Sequence, residues 1–174
     1  ASYLIIKHKP KNQIKFLSKK FKNLNHRNLY KINLHTPLIS EKSAIIAKTI
    51  KIRDILKKFQ NDFSKKNKNC CIEGRDISTK ILPNSDVKFF FKCSLNTAAF
   101  RRYKELRKYN IKIKLKDIKK ALRIRNNHDI NRRISPLLKH RDAIEIDTGK
   151  LNKQAMMVKM SKYLDKVIKS KYGN

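Results

Sequence analysis

The chain has 174 residues, of which 40% are hydrophobic, so it is long enough for one domain with an apolar core and too apolar for a disordered basic tail. Its 45 Lys and Arg against 13 Asp and Glu give a formal net charge of +32, which predicts attraction to polyanions such as nucleic acid. The basic residues are spread along the whole chain, however, and a coding bias toward A and T would also enrich Lys, Asn and Ile, so the charge alone identifies no partner.

The N-terminal part of the chain predicts helices. Apolar residues at helical spacing in residues 1–30 predict two short helices separated by Pro10. A longer amphipathic helix is predicted over residues 40–59, after the turn-forming residues of "HTPLIS".

Three later stretches predict strands, at residues 70–73, 87–93 and 143–147. Helical patterns lie between them, and this alternation is typical of βαβ units. We therefore predict an α/β fold in which helices flank a parallel sheet, formed by a single domain over residues 1–174.

A predicted helix follows each of the last two strands. One spans residues 95–108, with Ser94 as its N-terminal cap. The other spans residues 151–169, and we interpret its methionines as core residues. We expect its buried side to consist of Leu151, Met156, Met157, Met160, Leu164 and Ile168.

Several features argue against a membrane, secreted or zinc-binding protein. No apolar run reaches the length of a membrane span, and the N-terminus lacks the order of a signal peptide, so we expect a soluble cytoplasmic protein. The cysteines Cys70, Cys71 and Cys93 lack C-x-x-C spacing and a nearby His set, which argues against zinc. We expect them to be small buried side chains in a reducing compartment.

The segment "RIRNNHDINRRISPL", residues 123–137, places charged groups at helical spacing. Arg125, Asp129 and Arg132 stand at i, i+4 and i+7 and would line one face of a helix. Such a triad is also a common surface decoration that contributes little to stability. Both interpretations stay open on spacing alone.

Arginines elsewhere favour a binding site for phosphate. Most of the positive charge comes from Lys, yet Arg53, Arg101 and Arg102 lie on predicted helices and Arg75 follows the strand at residues 70–73. The planar, forked guanidinium matches phosphate oxygens. Ligands bind at the carboxyl ends of parallel strands, where we expect Arg75 and Asp76, although a turn with a local ion pair explains these two residues equally well.

Several motifs, in this order, resemble those of the bacterial cytidylate kinases. They are "EGRDISTKILP", "RRYKEL", "RNNHDINRRISPL" and "AIEIDTGKLN", and the earlier "NLHTPLIS" and "IRDILKKFQ" are also similar to that family. The resemblance runs from about residue 33 to the end and is weak over residues 1–32. It implies the phosphate-loop nucleoside monophosphate kinase fold, with an acceptor-nucleotide segment at about 34–60 and a lid at about 110–135.

The resemblance also implies an activity. The family transfers the γ-phosphate of ATP to CMP or dCMP with Mg²⁺, and no metal ligand of the protein itself is expected. Such a transfer depends mainly on positioning and on stabilising charge on the moving phosphoryl group. The implied partners are therefore small nucleotides, and we expect a monomer.

The family's contacts to the acceptor base and phosphate fall on identifiable residues. Arg53 and Asp76 stand where the family contacts the cytosine ring. Arg75 and Arg132 stand where it holds the acceptor phosphate. Arg132 would also be catalytic, by stabilising the transferred group.

Other implied contacts concern the sugar and the donor nucleotide. Arg125 and Asp129 stand where the family holds the sugar on the mobile lid, and Arg125 would be the second catalytic arginine. Arg101 and Arg102 resemble the helix arginines that face ATP.

Some positions depart from the family pattern. A phosphate-binding Arg is replaced by His35, which is mostly neutral at pH 7 because its ordinary pKa is about 6.5. The base-contacting Ser falls by spacing on Ala44, and Ser43, one residue earlier, substitutes for it only if the helix shifts by about 100 degrees. A lid Arg is replaced by His128. We expect weaker phosphate affinity where His35 lies.

The glycine-rich phosphate loop of the family has no counterpart in the sequence. The chain has 3 glycines and no G-x-x-x-x-G-K-[ST] motif, and we interpret "TGK" at residues 148–150 as a turn after the last strand. It begins with Ala1 and not Met, and residues 1–6 resemble the helix that follows the loop. We therefore expect a fragment without the first strand and phosphate loop, inactive with ATP as given.

A second hypothesis belongs to another class of protein. A kinase-derived, non-catalytic protein could use the net charge of +32 to bind RNA or a ribonucleoprotein. The basic runs have no interleaved aromatic residues, however, so no base-stacking platform is apparent.

Overall fold

The computed structural model describes residues 1–24, 34, 36–67 and 69–173. The chain divides into two compact units, Ala1–Ile72 and Glu73–Asn174, and each contains its own apolar cluster. The division into units does not test the single domain expected for residues 1–174, which stays a prediction.

The first unit is helical. Its helices in chain order are α1 (Ser2–His8), α2 (Gln13–Lys22), α3 (Pro37–Ile46) and α4 (Ile50–Lys66). The two short helices predicted within residues 1–30 are thereby confirmed. α1 ends because Lys9 adopts a left-handed conformation with φ 42°, and α2 begins where the Asn12 side chain accepts a 2.9 Å hydrogen bond from the Lys15 N–H.

The single helix predicted over residues 40–59 is wrong, because the chain forms α3 and α4 there instead. The break is a tight turn in which the Lys48 and Thr49 N–H groups donate to carbonyl oxygens three residues earlier, at 3.2 and 3.0 Å. Thr49 is extended, so it restarts the chain in a new direction. The break allows Ile46 of α3 and Ile52 of α4 to enter the same cluster.

Apolar side chains from all four helices hold the first unit together. The buried cluster consists of Ile5, Leu17, Ile46 and Ile52. Complete burial of such a side chain contributes about 1.5–3 kcal/mol. Phe21 of α2 and Phe59 of α4 meet edge to face with ring centroids 5.1 Å apart.

The second unit contains a parallel pair of strands. β1 (Phe89–Lys92) pairs with β2 (Ile144–Asp147) in a register from Phe89 opposite Ile144 to Lys92 opposite Asp147. Parallel strands need a long crossover, and here α5 (Leu95–Lys108) and α6 (Leu115–Asn131) supply it. The expected α/β class is confirmed, as are two of the three strands.

The strand predicted at residues 70–73 is wrong. These residues have no regular structure, and no strand of the described residues pairs with them. A strand needs such a partner for its backbone groups. Cys70 and Cys71 are therefore exposed, and Cys93 is half-buried, so the expected burial of the cysteines is also wrong.

The two crossover helices pack on each other through a small core. Ala99 and Leu106 of α5 are buried against Ile118 of α6. Ser94 caps α5 as predicted, since its side chain accepts a 3.1 Å hydrogen bond from the Thr97 N–H. This packing fixes α6, the helix that contributes the charged residues considered below.

The last helix, α7 (Lys153–Tyr172), begins after Asn152, which caps it through a 2.8 Å hydrogen bond from the Ala155 N–H. The buried side expected for this helix is wrong, because none of its residues is buried and Met157 is 51% exposed. A helix buries a stripe only where other elements cover it, and the described residues cover this one too little. None of the described helices is long and apolar enough to cross a membrane.

Candidate functional site

Five of the charged residues singled out in the sequence come together in the second unit. Arg75 and Asp76 precede a single wide helical turn at Ile77–Ile81, Arg125 and Asp129 lie on α6, and Arg132 follows its last residue, Asn131. Ion pairs connect all five, and we call this group the arginine–aspartate cluster.

Asp129 is the centre of the cluster. Its Oδ2 lies 3.0 Å from Arg75 Nε and 3.9 Å from Arg125 Nε. Its Oδ1 lies 3.3 Å from Arg132 Nη1. One carboxylate therefore serves three guanidinium groups.

Arg132 is held by the loop that follows α6. Its Nε donates to the Ser135 carbonyl oxygen, and the Leu137 N–H donates to the Asp129 carbonyl oxygen at 2.7 Å. Ser135 adopts φ 52°, a left-handed conformation that costs a serine about 1–2 kcal/mol. The loop thus turns back on the helix and aims Arg132 at Asp129.

The expected helical position of Arg132 is wrong. α6 ends at Asn131, and Arg132 is extended with ψ 136°. Pro136 lies four residues on, and proline has no N–H to continue a helix. Arg132 meets Asp129 through the loop, at a spacing of i, i+3.

The interior of the cluster is poorly exposed to water. Asp76 is 8% exposed, and the side chains of Asp129 and Arg132 are 14% and 20% exposed. Burial lowers the pKa of Arg75, the adjacent Asp129 carboxylate raises it, and Arg125 and Arg132 lower it further. Three guanidinium groups against two carboxylates leave an excess of positive charge that an anion would neutralise.

Two buried atoms of the cluster have no hydrogen-bond partner within the described part of the chain. They are Asp129 Oδ2, which contacts Arg75 only as an ion pair, and Arg132 Nη2. Arg132 Nη2 lies 3.9 Å from Asp76 Oδ1, beyond hydrogen-bond length. A ligand oxygen beside Arg132 Nη2 would satisfy it.

Sequence reasoning missed two residues of this site. Asn126 accepts a 3.3 Å hydrogen bond from Arg75 Nη2, and Ser135 accepts one from Arg132. The spacing of Asn126 and Asp129 at i, i+3 on a helix was a usable signal. The role of the Ser135 carbonyl depends on the left-handed turn, which sequence spacing does not show.

Arg101 and Arg102 lie on α5 and have other contacts. Arg101 donates to the Thr148 hydroxyl at 3.0 Å and to the Thr148 carbonyl at 2.6 Å. It thereby holds residues 148–150, which form the predicted turn after β2. Arg102 pairs with Glu105 at 2.8 Å.

Three predicted acceptor-site residues belong to the N-terminal part of the chain. Ser43 is exposed on α3, where its hydroxyl donates to the Ile39 carbonyl at 2.7 Å. Arg53 is half-buried on α4. His35 lies outside the described residues. All three stay predictions.

Two further features bear on ligands. Over the described ranges, no group of three or more His, Cys, Asp or Glu side chains is arranged as metal ligands. The first unit has an open groove of about 530 Å³ lined by α2 and by Lys51 of α4. Its lining includes Lys15, Lys19 and Lys22 on α2.

Comparison with known proteins gives a consistent result. A family model described as cytidylate kinase matches residues 3–166. The chain is 34% identical over 140 residues to a cytidylate kinase of Clostridium tetani, covering 80% of this chain and 62% of the relative. It is 35% identical over 133 residues to one of Pediococcus pentosaceus, covering 76% and 58% respectively.

A cytidylate kinase of Mesomycoplasma hyopneumoniae is matched over more of its length. It is 34% identical over 161 residues, which are 91% of this chain and 69% of the relative. The chain spans about three fifths of the length of the Clostridium and Pediococcus relatives.

Proposed function

Because the chain belongs to the cytidylate kinase family, we propose that its arginine–aspartate cluster is the acceptor site for CMP or dCMP in phosphoryl transfer from ATP. The observation that carries the proposal is the convergence of Arg75, Asp129 and Arg132 within hydrogen-bonding range. Guanidinium groups provide the paired donors that a phosphate monoester requires.

Arg75 and Arg132 bind the acceptor phosphate in this proposal. The buried Nη2 of Arg132 lacks a hydrogen-bond partner within the described residues and would donate to a phosphate oxygen. Arg125 and Arg132 then stabilise the negative charge on the transferred group, which is the main form of catalysis available to a phosphoryl transferase. Arg125 is the more exposed of the two, as expected for a residue that moves with a lid.

Asp129 and Asp76 supply acceptors in the proposed complex. A carboxylate accepts hydrogen bonds, so Asp129 suits the hydroxyl groups of the sugar and Asp76 the amino group of cytosine. Arg53 is proposed as a second contact to the base.

Ser43 and His35 complete the proposed acceptor contacts. The Ser43 hydroxyl donates to the Ile39 carbonyl and lies 2.7 Å from the Ser2 hydroxyl, so a ligand amino group such as that of cytosine would use the remaining lone pair of its oxygen. His35 would provide a weaker phosphate contact than an arginine because it is mostly neutral at pH 7.

Binding of ATP, the phosphoryl donor, is proposed to need further residues besides Arg101 and Arg102. Arg101 and Arg102 would face ATP only after giving up contacts to Thr148 and Glu105. The carboxylates of the cluster face guanidinium groups and do not fit a Mg²⁺ site, so Mg²⁺ would arrive with the ATP phosphates. No glycine-rich phosphate loop occurs in the 174 residues, so we propose that they do not turn over ATP by themselves.

Phosphoryl transfer tests the proposed activity. ADP formation from ATP and Mg²⁺ is measured with and without CMP, for this chain and for a chimera with a cytidylate kinase strand and phosphate loop fused ahead of Ala1. The expected result is no turnover by the chain and CMP-dependent turnover by the chimera. A folded chimera without CMP-dependent ADP formation would overturn the proposal, and Arg141→Gln in the chimera serves as an exposed-arginine control.

RNA binding is the second candidate function, and one observation favours it. The lysine-lined groove of the first unit gathers four ammonium groups without an acidic residue in its lining. The groove would attract a phosphate backbone of any sequence.

A further inference from the structure

Asp129 has more cationic partners than a carboxylate needs. It faces Arg75, Arg125 and Arg132 at 3.0, 3.9 and 3.3 Å, and its carboxylate is 14% exposed. Three neighbouring guanidinium groups, two of them half-buried and that of Arg125 exposed, would repel one another without counter-ions. Asp76 faces Arg132 alone among them, whereas Asp129 faces all three, so Asp129 is the main internal anion that allows the cluster to form without a ligand.

The same contacts place Asp129 in competition with a phosphate ligand. Arg75 and Arg132 are the two residues proposed for the acceptor phosphate, and both already face Asp129. Arg75 does so as an ion pair at 3.0 Å, and Arg132 through a 3.3 Å hydrogen bond. Neither makes the forked, two-bond pair that gives an arginine–carboxylate contact its full strength, because Arg75 also donates to Asn126 and Arg132 to Ser135. A phosphate dianion offers more oxygens and more charge, so it can displace the carboxylate.

We propose that Asp129 makes sugar recognition conditional on phosphate. The acceptor phosphate first displaces the Asp129 carboxylate from Arg75 and Arg132, and only then does Asp129 accept hydrogen bonds from the sugar. The inference rests on the proposed function for the identity of the sugar ligand. Asp129 would thereby discriminate nucleotides from nucleosides, because a nucleoside without phosphate leaves Asp129 paired with the arginines. A nucleotide provides the displacing anion itself.

The first test measures inorganic phosphate alone, and so does not depend on CMP. Phosphate affinity is determined by isothermal titration calorimetry for the unchanged chain, for Asp129→Asn, and for Asp142→Asn. Asp142 is an exposed carboxylate paired with Arg141 and His140, so its variant changes the net charge equally. We expect Asp129→Asn to bind phosphate at least about tenfold more tightly, because a competing charge is removed, and Asp142→Asn to bind as the unchanged chain does.

A conservative variant separates charge from structure. Asp129→Glu keeps the negative charge, so we expect phosphate affinity close to that of the unchanged chain. Equal or weaker phosphate binding by folded Asp129→Asn would overturn the competition. If repulsion among the arginines destabilises Asp129→Asn, phosphate should raise its melting temperature more than it raises that of the unchanged chain. An equal or smaller rise would count against the proposal.

The second test needs no variant. Cytidine binding to the unchanged chain is measured without phosphate and with saturating inorganic phosphate. We expect phosphate to tighten cytidine binding by about fivefold or more, a typical coupling between two sites. Cytidine affinity that is independent of phosphate, in a chain that binds CMP, would overturn the conditional recognition.

The two tests distinguish this inference from the proposed function. If CMP does not bind, the proposed function fails, whereas tighter phosphate binding by Asp129→Asn still supports the counter-ion role of Asp129. If CMP binds but Asp129→Asn does not gain phosphate affinity, the proposed function stands and the inference fails.

Discussion

The hydroxyl of Ser43 already has two partners within the first unit. Its oxygen lies 2.7 Å from the Ile39 carbonyl oxygen and 2.7 Å from the Ser2 hydroxyl. Ser2 is 5% exposed, and Ser43 is the partner that the described residues provide for its hydroxyl. Ser43 is exposed and can exchange hydrogen bonds with water.

This asymmetry predicts unequal costs for two serine substitutions. Ser43→Ala leaves the buried Ser2 hydroxyl without its partner, which costs about 1–3 kcal/mol of the free energy of unfolding. Ser2→Ala removes the buried hydroxyl itself and should cost under about 1 kcal/mol. Urea unfolding of both variants measures the difference, and a larger cost for Ser2→Ala would contradict the described contact.

A second prediction concerns Gly74, which precedes Arg75. A Cβ at this position would lie 2.8 Å from Ile77 Cγ1 and 2.9 Å from Ile77 Cδ1, so either the Ile77 side chain or the backbone would have to shift. Gly74→Ala should therefore destabilise the chain by about 1–3 kcal/mol. The same substitution should cost less in an Ile77→Ala background, and urea unfolding of the double-mutant cycle measures the coupling. Additive costs would show that the two side chains do not meet.

The residues of the cluster were predictable to different degrees. Arg75 and Asp129 followed from spacing and from family motifs, because their identities are visible in the sequence. Asn126 is also visible, but its hydrogen bond depends on how Arg75 approaches α6. Ser135 contributes through its backbone at φ 52°, which no residue pattern in this chain signals.

Among the elements, those with strong local signals were predicted best. α5 has a serine cap and begins and ends where the pattern predicts. The strand expected at residues 70–73 depends on a neighbouring strand, so its apolar residues alone could not establish it. The buried side expected for α7 failed for a related reason, since burial depends on what covers the helix.

A matched pair of leucine substitutions tests this description of the helices. Leu106 of α5 is 4% exposed in the core shared with α6, whereas Leu164 of α7 is 40% exposed. Leu106→Ala should cost about 2–5 kcal/mol, and Leu164→Ala under about 1 kcal/mol. Chemical denaturation measures both, and a larger cost for Leu164→Ala would indicate that α7 is buried.

For the whole molecule, the excess of positive charge affects any binding measurement. The formal net charge of +32 and the lysine-lined groove both attract polyanions independently of the cluster. The cluster offers specific geometry, whereas dispersed lysines offer only charge. Salt concentration therefore separates the two kinds of binding.

We predict that single-stranded RNA binds the chain and is released by salt. The logarithm of the affinity should fall with the logarithm of salt concentration by about 0.7 for each phosphate neutralised. Replacing Lys15, Lys19, Lys22 and Lys51 by Gln should reduce this slope by roughly 3 units, whereas Arg75→Gln with Arg132→Gln should leave it nearly unchanged. Fluorescence anisotropy of a labelled oligonucleotide measures the slope, and a greater loss in the arginine variant would place RNA on the cluster.

The most direct test of the acceptor site is CMP binding measured by calorimetry near physiological salt. The unchanged chain and Arg141→Gln, which alters an exposed arginine, should bind CMP alike. Arg75→Gln and Arg132→Gln should each bind at least about tenfold more weakly, because each removes a charge-assisted hydrogen bond to the phosphate. The same CMP affinity in all four proteins, or no CMP binding by the unchanged chain, would contradict the assignment of the cluster as the acceptor site.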